Sequence, residues 1–239
     1  MKKLAIVTGA SSGIGKAIAI KLSSEGHPLL LISRRKHLLE ELNLPNTLCK
    51  SVDVTNFTEF KKAVTEAENI YGKTDLLVNN AGIMLLGKTS TQNISEWNNM
   101  IDINIKGVLN GIETVIKTMK DSESGTIINI SSLAGRKTFD NHAVYSGTKF
   151  AVHAISESIR EELSKHNVRV TVIAPGVVET GLLTHTTDTE IKNDYIQMKK
   201  SMGGGLEAQN IADMVSFIYN QPQNICLREV VIAPTKQKE

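Results

Sequence analysis

A single doubly wound α/β domain, one parallel sheet of seven strands with helices on both faces, is the fold that this sequence predicts. Three observations predict it. Short apolar runs alternate with longer stretches at helical spacing from one end of the chain to the other. The short runs are apolar almost throughout, rather than at every second position, as in strands covered on both faces. No linker, composition break or short-period repeat divides residues 1–239.

In chain order, Lys3–Thr8 (KLAIVT) is the first buried strand and runs into glycine. Ile14, Ala17, Ile18 and Leu22 give a helix over 13–25, closed by Gly26. Pro28–Ser33 is the second strand, 35–42 a helix and 47–52 the third strand. Phe57, Phe60, Val64, Ala67 and Ile70 form a helical stripe, followed by a strand at Asp75–Asn79. Ser95 is placed to cap a long helix through Met119. Gly125–Ser131 is the fifth strand, 143–165 a second long helix, and Val168–Ala174 a strand ended by Pro175-Gly176. A helix over 207–219 and a strand over 229–233 complete the chain.

Composition sets the class. Apolar residues make up 41% and charged residues 22%, and the net charge of +2 leaves no footprint for nucleic acid. Cys49 and Cys226 lie far apart, with no CxxC or HExxH, so no metal site is expected. The apolar run after Lys3 is too short for an export signal and no run reaches membrane-spanning length. A cytoplasmic protein with no membrane partner is the expectation.

Two stretches carry chemistry. Thr8-Gly9-Ala10-Ser11-Ser12-Gly13-Ile14-Gly15 joins the first strand to the first helix. Its glycines let the backbone turn tightly and approach a pyrophosphate seated on the helix N-terminus, with Ser11 and Ser12 adding hydroxyls. A plain strand-to-helix turn also uses Gly and Ser. The second strand ends Ser33-Arg34-Arg35-Lys36, without the carboxylate that would bind the ribose of NAD(H). Cations at a helix start oppose the helix dipole, a cost that a bound 2′-phosphate relieves. NADP(H) is therefore expected over NAD(H), with Arg34 as main contact and Ser33 and Arg35 in support.

The second stretch is Val144–Val152 (VYSGTKFAV), where Tyr145 and Lys149 are spaced to share one helix face. A nearby ammonium lowers a phenol's pKa and makes it a better acid–base group near neutral pH. A surface Tyr and Lys sharing a helix is the alternative. His142 and His153 flank the pair.

Taken in order, Thr8-Gly9-x-x-x-Gly13-Ile14-Gly15, Asn79-Asn80-Ala81-Gly82, Asn104, Ser132, Tyr145-x-x-x-Lys149 and Pro175-Gly176-x-Val178-x-Thr180 resemble the short, single-domain branch of the short-chain dehydrogenase/reductase family. The likeness runs from Lys3 to about Pro234. It implies a Rossmann-like sheet, a nicotinamide cofactor, and an oxidoreductase interconverting a carbonyl and a secondary alcohol. It implies Tyr145 as proton donor or acceptor, and Lys149 on the nicotinamide ribose and tuning Tyr145. It further implies Ser132, in preference to Ser131, on the substrate oxygen, and Asn104 in a water-linked proton relay.

The same likeness implies that Asp53 and Val54 meet the adenine. Asn79 and the backbone of Asn80, Ala81 and Gly82 would line its ribose. Pro175, Gly176, Val178 and Thr180 would hold the carboxamide. Simpler roles are a strand-end cap for Asp53, a helix-stabilising amide for Asn104 and an N-cap for Thr180. The tail from Gln221 to Thr235 resembles NADP-dependent bacterial members that act on 3-hydroxy acids such as serine or allo-threonine. Family members pair their long helices into homodimers or homotetramers.

The connection over 181–205 is expected to be a substrate-binding lid, with Ile191, Tyr195, Met198 and Met202 as a helical stripe and Met84, Leu85, Leu86 and Val144 as further pocket lining. The partner is then a small-molecule carbonyl or alcohol. A rival reading is a catalytically weak NADP(H)-binding redox sensor on the same fold. Another is acyl transfer through Ser146-x-x-Lys149, but the companion motifs are missing.

Overall fold

A computed structural model of the chain describes residues 2–238. The elements run β1 (Leu4–Thr8), α1 (Gly13–Ser24), β2 (Leu29–Ser33), α2 (Lys36–Glu40), β3 (Thr47–Ser51), α3 (Phe57–Tyr71), β4 (Thr74–Asn79), α4 (Ile94–Ile101), α5 (Gly107–Asp121), β5 (Gly125–Ile130), α6 (Ala143–Leu163), β6 (Val168–Pro175), α7 (Thr189–Ser201), α8 (Ala208–Tyr219) and β7 (Glu229–Ile232). The strands form one sheet in the order β3-β2-β1-β4-β5-β6-β7, every neighbouring pair parallel. This is the doubly wound, Rossmann-like sheet expected.

The apolar runs are explained by burial on both faces. Leu4, Ile6, Leu30, Ile32, Leu77 and Ile127 point to one side, onto Phe60 and Val64 of α3, Val108 and Ile112 of α5, and Val152 of α6. The intervening Ala5, Val7, Leu29, Leu31, Leu76 and Ile128 point to the other, onto Ile18 and Leu22 of α1 and Ile211 and Val215 of α8. Each such side chain contributes about 1.5–3 kcal/mol on burial, so a slip of one residue in any central strand is strongly disfavoured.

The order reverses between β1 and β4, where the chain leaves for β2 and later returns on the other side. Ligands of open α/β sheets bind at such a switch point, beyond the carboxyl ends of the strands. Thr8 and Asn80 hold this point together. Thr8 Oγ1 accepts from the backbone N–H of Asn80 and of Ala81, each at 3.0 Å, and Asn80 Nδ2 donates to the Thr8 carbonyl at 2.9 Å.

Three local expectations are corrected. Asn93, not Ser95, caps α4: its Oδ1 accepts from Ser95 N at 2.8 Å. The long helix is not uniform, because Asp102–Lys106 form a π-helical turn between α4 and α5. Asn79 does not face the ribose side; it is buried and donates to Asn129 Oδ1 at 2.9 Å, tying β4 to β5.

Candidate active site

A cleft of about 690 Å³ opens at the switch point. The first wall is the turn after β1, and Gly9 explains its shape. Its φ of 65° is a left-handed conformation that side chains disfavour, and a Cβ there would stand 2.9 Å from the Ala81 Cα. Ser11, Ser12, Gly13 and Ile14 line the cleft with Gly9; Gly15 does not, being packed beneath the turn against the Gly9 carbonyl. Ser12 occupies the N-cap position of α1 but makes no side-chain cap bond, so its hydroxyl is left for other partners.

Ser33, Arg34, Arg35, Asp53 and Val54 form the far end of the same wall. Arg35, expected only in support, is the arginine joined to the turn: its Nη2 donates to Ser11 Oγ and Ser12 Oγ, each at 2.9 Å. Ser33 Oγ donates to Ser11 Oγ at 2.8 Å and accepts from Arg35 N at 3.1 Å. Arg34 makes no such bond and lies nearer Asp53. Burial would raise the Asp53 carboxyl, but hydrogen bonds from Thr55 N and Oγ1 and the Arg34 charge hold it below the usual range. The strand-end cap anticipated for Asp53 is thus present, and the residue also lines the cleft.

Asn80, Ala81 and Gly82 line the middle, and Pro175, Gly176, Val178 and Thr180 the opposite wall. Thr180 also caps a short 3-10 turn at Gly181–His185, its Oγ1 accepting from Leu182 N at 3.4 Å. That turn lies over α1, since a Cβ at Gly13 would come 3.1 Å from Thr180 Cγ2.

At the inner end, Ser132, Tyr145 and Lys149 converge. Tyr145 and Lys149 are one turn apart on α6 and both buried, which rules out a surface pair. Lys149 Nζ lies 5.8 Å from the Tyr145 ring centroid and donates to the Ile130 carbonyl at 3.0 Å. Burial pushes the ammonium down to about 8. The expectation that Lys149 lowers Tyr145 is not met in this arrangement. Burial drives the phenol well above its ordinary value, against a smaller downward pull from the Ser132 hydroxyl, and Tyr195 adds to the rise. The ammonium is itself desolvated and turned to Ile130, so desolvation of the phenol wins.

Ser131 borders the same end of the cleft, but it is buried and its Oγ donates to the Lys149 carbonyl at 3.3 Å. Asn104 does not line the cleft. It sits within the π-helical turn and bonds the Ile83 backbone and Thr148 Oγ1. π-turns inside α-helices often mark functional positions, and this one aims an amide at the loop after β4.

The segment 181–205 packs back onto the body. Ile191 is buried beside Met84, Met100 and Tyr145. Of the expected stripe, Tyr195 joins this cluster, but Met198 is exposed, because the inward face of α7 is rotated from the one inferred. Lys192, Tyr195, Ile196 and Lys199 line the cleft instead, and their i, i+3, i+4, i+7 spacing was the overlooked signal. Met84 lines the pocket, whereas Leu85, Leu86 and Val144 pack in the cluster behind it. His142 stacks near Tyr145 and Tyr195 at 6.2 and 6.4 Å.

Among the described residues no group of His, Cys, Asp and Glu could hold a metal ion, and no helix is long and apolar enough to cross a membrane. The pattern of the short chain dehydrogenase family matches residues 3–191. An uncharacterized oxidoreductase of Staphylococcus saprophyticus is 38% identical over 241 residues, covering 98% of this chain and 97% of the relative. Among solved structures, the closed form of serine dehydrogenase complexed with NADP+ superposes with a TM-score of 0.91 at 28% identity, over 99% of this chain and 96% of that one. ElxO with NADP bound gives 0.84 at 26%, over 97% of each chain.

Proposed function

The chain belongs to the short-chain dehydrogenase/reductase family of oxidoreductases, and we propose that it interconverts a carbonyl and a secondary alcohol with NADP(H), Tyr145 handling the proton. The observation that carries this reading is the convergence of Ser132, Tyr145 and Lys149 at one end of a cleft whose other end is the glycine turn and Arg35.

The residues present fit a dinucleotide. The Ser11–Gly13 turn and the start of α1 offer backbone N–H groups to a pyrophosphate. Arg35, with Ser33 and Arg34, suits a 2′-phosphate, and the superposing serine dehydrogenase and ElxO structures both hold NADP. Asp53 and Val54 would border the adenine, and Val178 and Thr180 the carboxamide. When bound, the nicotinamide supplies or takes the hydride. Ser132 and Tyr145 then place hydrogen-bond donors where negative charge develops on the substrate oxygen. A phenol raised by burial is held in its protonated form at neutral pH, the form that gives a proton to a carbonyl. Lys149 sits where its ammonium can bind the ribose and favour the phenolate when an alcohol is oxidised. Asn104 acts at a distance by fixing the Ile83 backbone, which forms the floor between β4 and the substrate end.

The segment 181–205 is the substrate-binding lid of this single domain, a reading supported by the packing of Ile191 and Tyr195 against Tyr145. Exposed Ile101, Leu109 and Phe150 on α4, α5 and α6 support pairing of these helices between copies. Titrating the purified chain with NADPH and NADH, then assaying a panel of carbonyls and alcohols, tests the proposal. Preferential NADPH binding with turnover on the panel is the expected result; binding without turnover on any member would leave a nucleotide sensor instead.

A further inference from the structure

The cations of the cleft are not equivalent. Arg35 is engaged with the Ser11 and Ser12 hydroxyls, Arg34 faces Asp53, and Lys149 is buried at the reacting end. Lys199 is neutralised: its ammonium meets Glu179 Oε2 at 2.5 Å, while Glu179 Oε1 accepts from Gly205 N at 2.7 Å. Lys192 is the exception. Among the described residues it has no carboxylate partner, and its one contact is the Thr184 carbonyl at 3.5 Å. Asp53, at the adenine end, is the one carboxylate lining the cleft among the described residues.

Lys192 is held in place from below. Asp188 caps α7, accepting from Ile191 N at 3.1 Å, and Ile191 is buried in the cluster around Tyr145. Thr186 is buried, donating to the Met84 carbonyl and accepting from Leu86 N, each at 3.3 Å, and Thr187 Oγ1 donates to Glu96 Oε1 at 3.0 Å. The lid's first half is thereby clasped to the body. Thr184 belongs to the same 3-10 turn whose Thr180 lies over Gly13. The ammonium is thus carried on the lid segment that roofs the start of α1. The glycine turn beneath has no cation of its own between Thr8 and Gly15, and the guanidinium that reaches it, Arg35, is engaged with the Ser11 and Ser12 hydroxyls; a pyrophosphate there brings two negative charges, of which the helix N-terminus offsets only about half of one.

We propose that Lys192 is the lid's anion-binding residue, closing on the cofactor's pyrophosphate from the side opposite the glycine turn. This rests on the nucleotide-binding reading above. The alternative source of the same chemistry is an acidic group on the substrate, and the two are separable because the pyrophosphate is common to NADPH and NADH.

The test is a fluorescence titration of the purified full-length chain and its variants with NADPH and with NADH, with circular dichroism to check folding. Lys192→Met is expected to weaken both nucleotides by a similar factor of about ten, the scale of one lost charge-assisted contact. Lys192→Glu is expected to weaken both further, and Lys192→Arg to restore most of the affinity. Arg35→Leu serves as the contrast and is expected to weaken NADPH alone. Nucleotide affinities within about twofold of the wild type in both Lys192→Met and Lys192→Glu would overturn the inference. So would a loss confined to NADPH, which places Lys192 on the 2′-phosphate, or unchanged nucleotide affinity with a raised KM for acidic substrates only. A wild-type chain that binds neither nucleotide removes the proposed function itself, a result distinct from any of these.

Discussion

The Asn104 side chain closes a two-bond ring with the backbone of Ile83: Oδ1 accepts from Ile83 N and Nδ2 donates to Ile83 O, both at 2.9 Å. A second Nδ2 hydrogen goes to Thr148 Oγ1 at 3.1 Å, and Thr148 itself donates to the Tyr145 carbonyl at 2.7 Å. One buried amide thus ties the π-helical turn to the loop after β4 and to the helix that carries Tyr145. Asn104→Ala strands these backbone groups, each worth about 1–3 kcal/mol when left unpaired and buried. The expected outcome is a lower urea midpoint together with a lower kcat. An unchanged midpoint would show that water replaces the amide.

Tyr145→Phe removes one oxygen and leaves the ring in the cluster with Met84 and Ile191. Nucleotide affinity is expected to hold within about twofold, while turnover falls by about 10²–10⁴, the usual worth of a positioned acid–base group. Near-normal turnover in this variant would remove Tyr145 from the chemistry.

Ser33→Asp tests the cofactor choice. The Ser33 hydroxyl lies 2.8 Å from Ser11 Oγ and one residue before Arg34. A carboxylate there repels a 2′-phosphate and accepts from ribose hydroxyls. The NADPH-to-NADH affinity ratio is expected to fall by about tenfold or more; a ratio that stays put would mean that Arg35 alone sets the preference.

These expectations trace how much of the molecule was legible in its residues. The strand runs were, because a strand buried on both faces has almost no polar positions to blur it. Tyr145 and Lys149 were, because a helix turn brings that spacing together whatever surrounds it. The ranking of Arg34 over Arg35 had no such support: adjacent residues leave a strand end in different directions, and only the fold shows that Arg35 is the one that reaches Ser11. The inward face of α7 is not legible, because Met198 and Met202 look apolar in the sequence, while Lys192 and Lys199 look like solvent positions although they line the cleft. The Tyr145 phenol is the clearest case. Charge proximity in the sequence argues for a lowered pKa, but desolvation depends on what covers the ring, and Tyr195 and Ile191 come from α7, far along the chain.

Lys149 gives a prediction for stability against pH. Burial sets its folded-state pKa at about 8, against 10.5 for the ordinary group. Between these values the unfolded chain binds the proton that the folded chain has released, so stability rises with pH across this window. In the other direction, stability present above 10.5 is lost as pH falls through 8. At about 1.4 kcal/mol per unit, the gain is on the order of 3–4 kcal/mol between the two limits. Tyr145 and Cys49, both raised by burial, work against it in the upper part of the range. Comparison with Lys149→Met isolates the effect, since those groups remain in the variant. Urea unfolding of both proteins at pH 7.5 and 9.5 is expected to show a wild-type stability that gains on the variant as pH rises. Parallel pH dependences would mean that Lys149 is solvated in the folded chain and that its ammonium carries no burial cost.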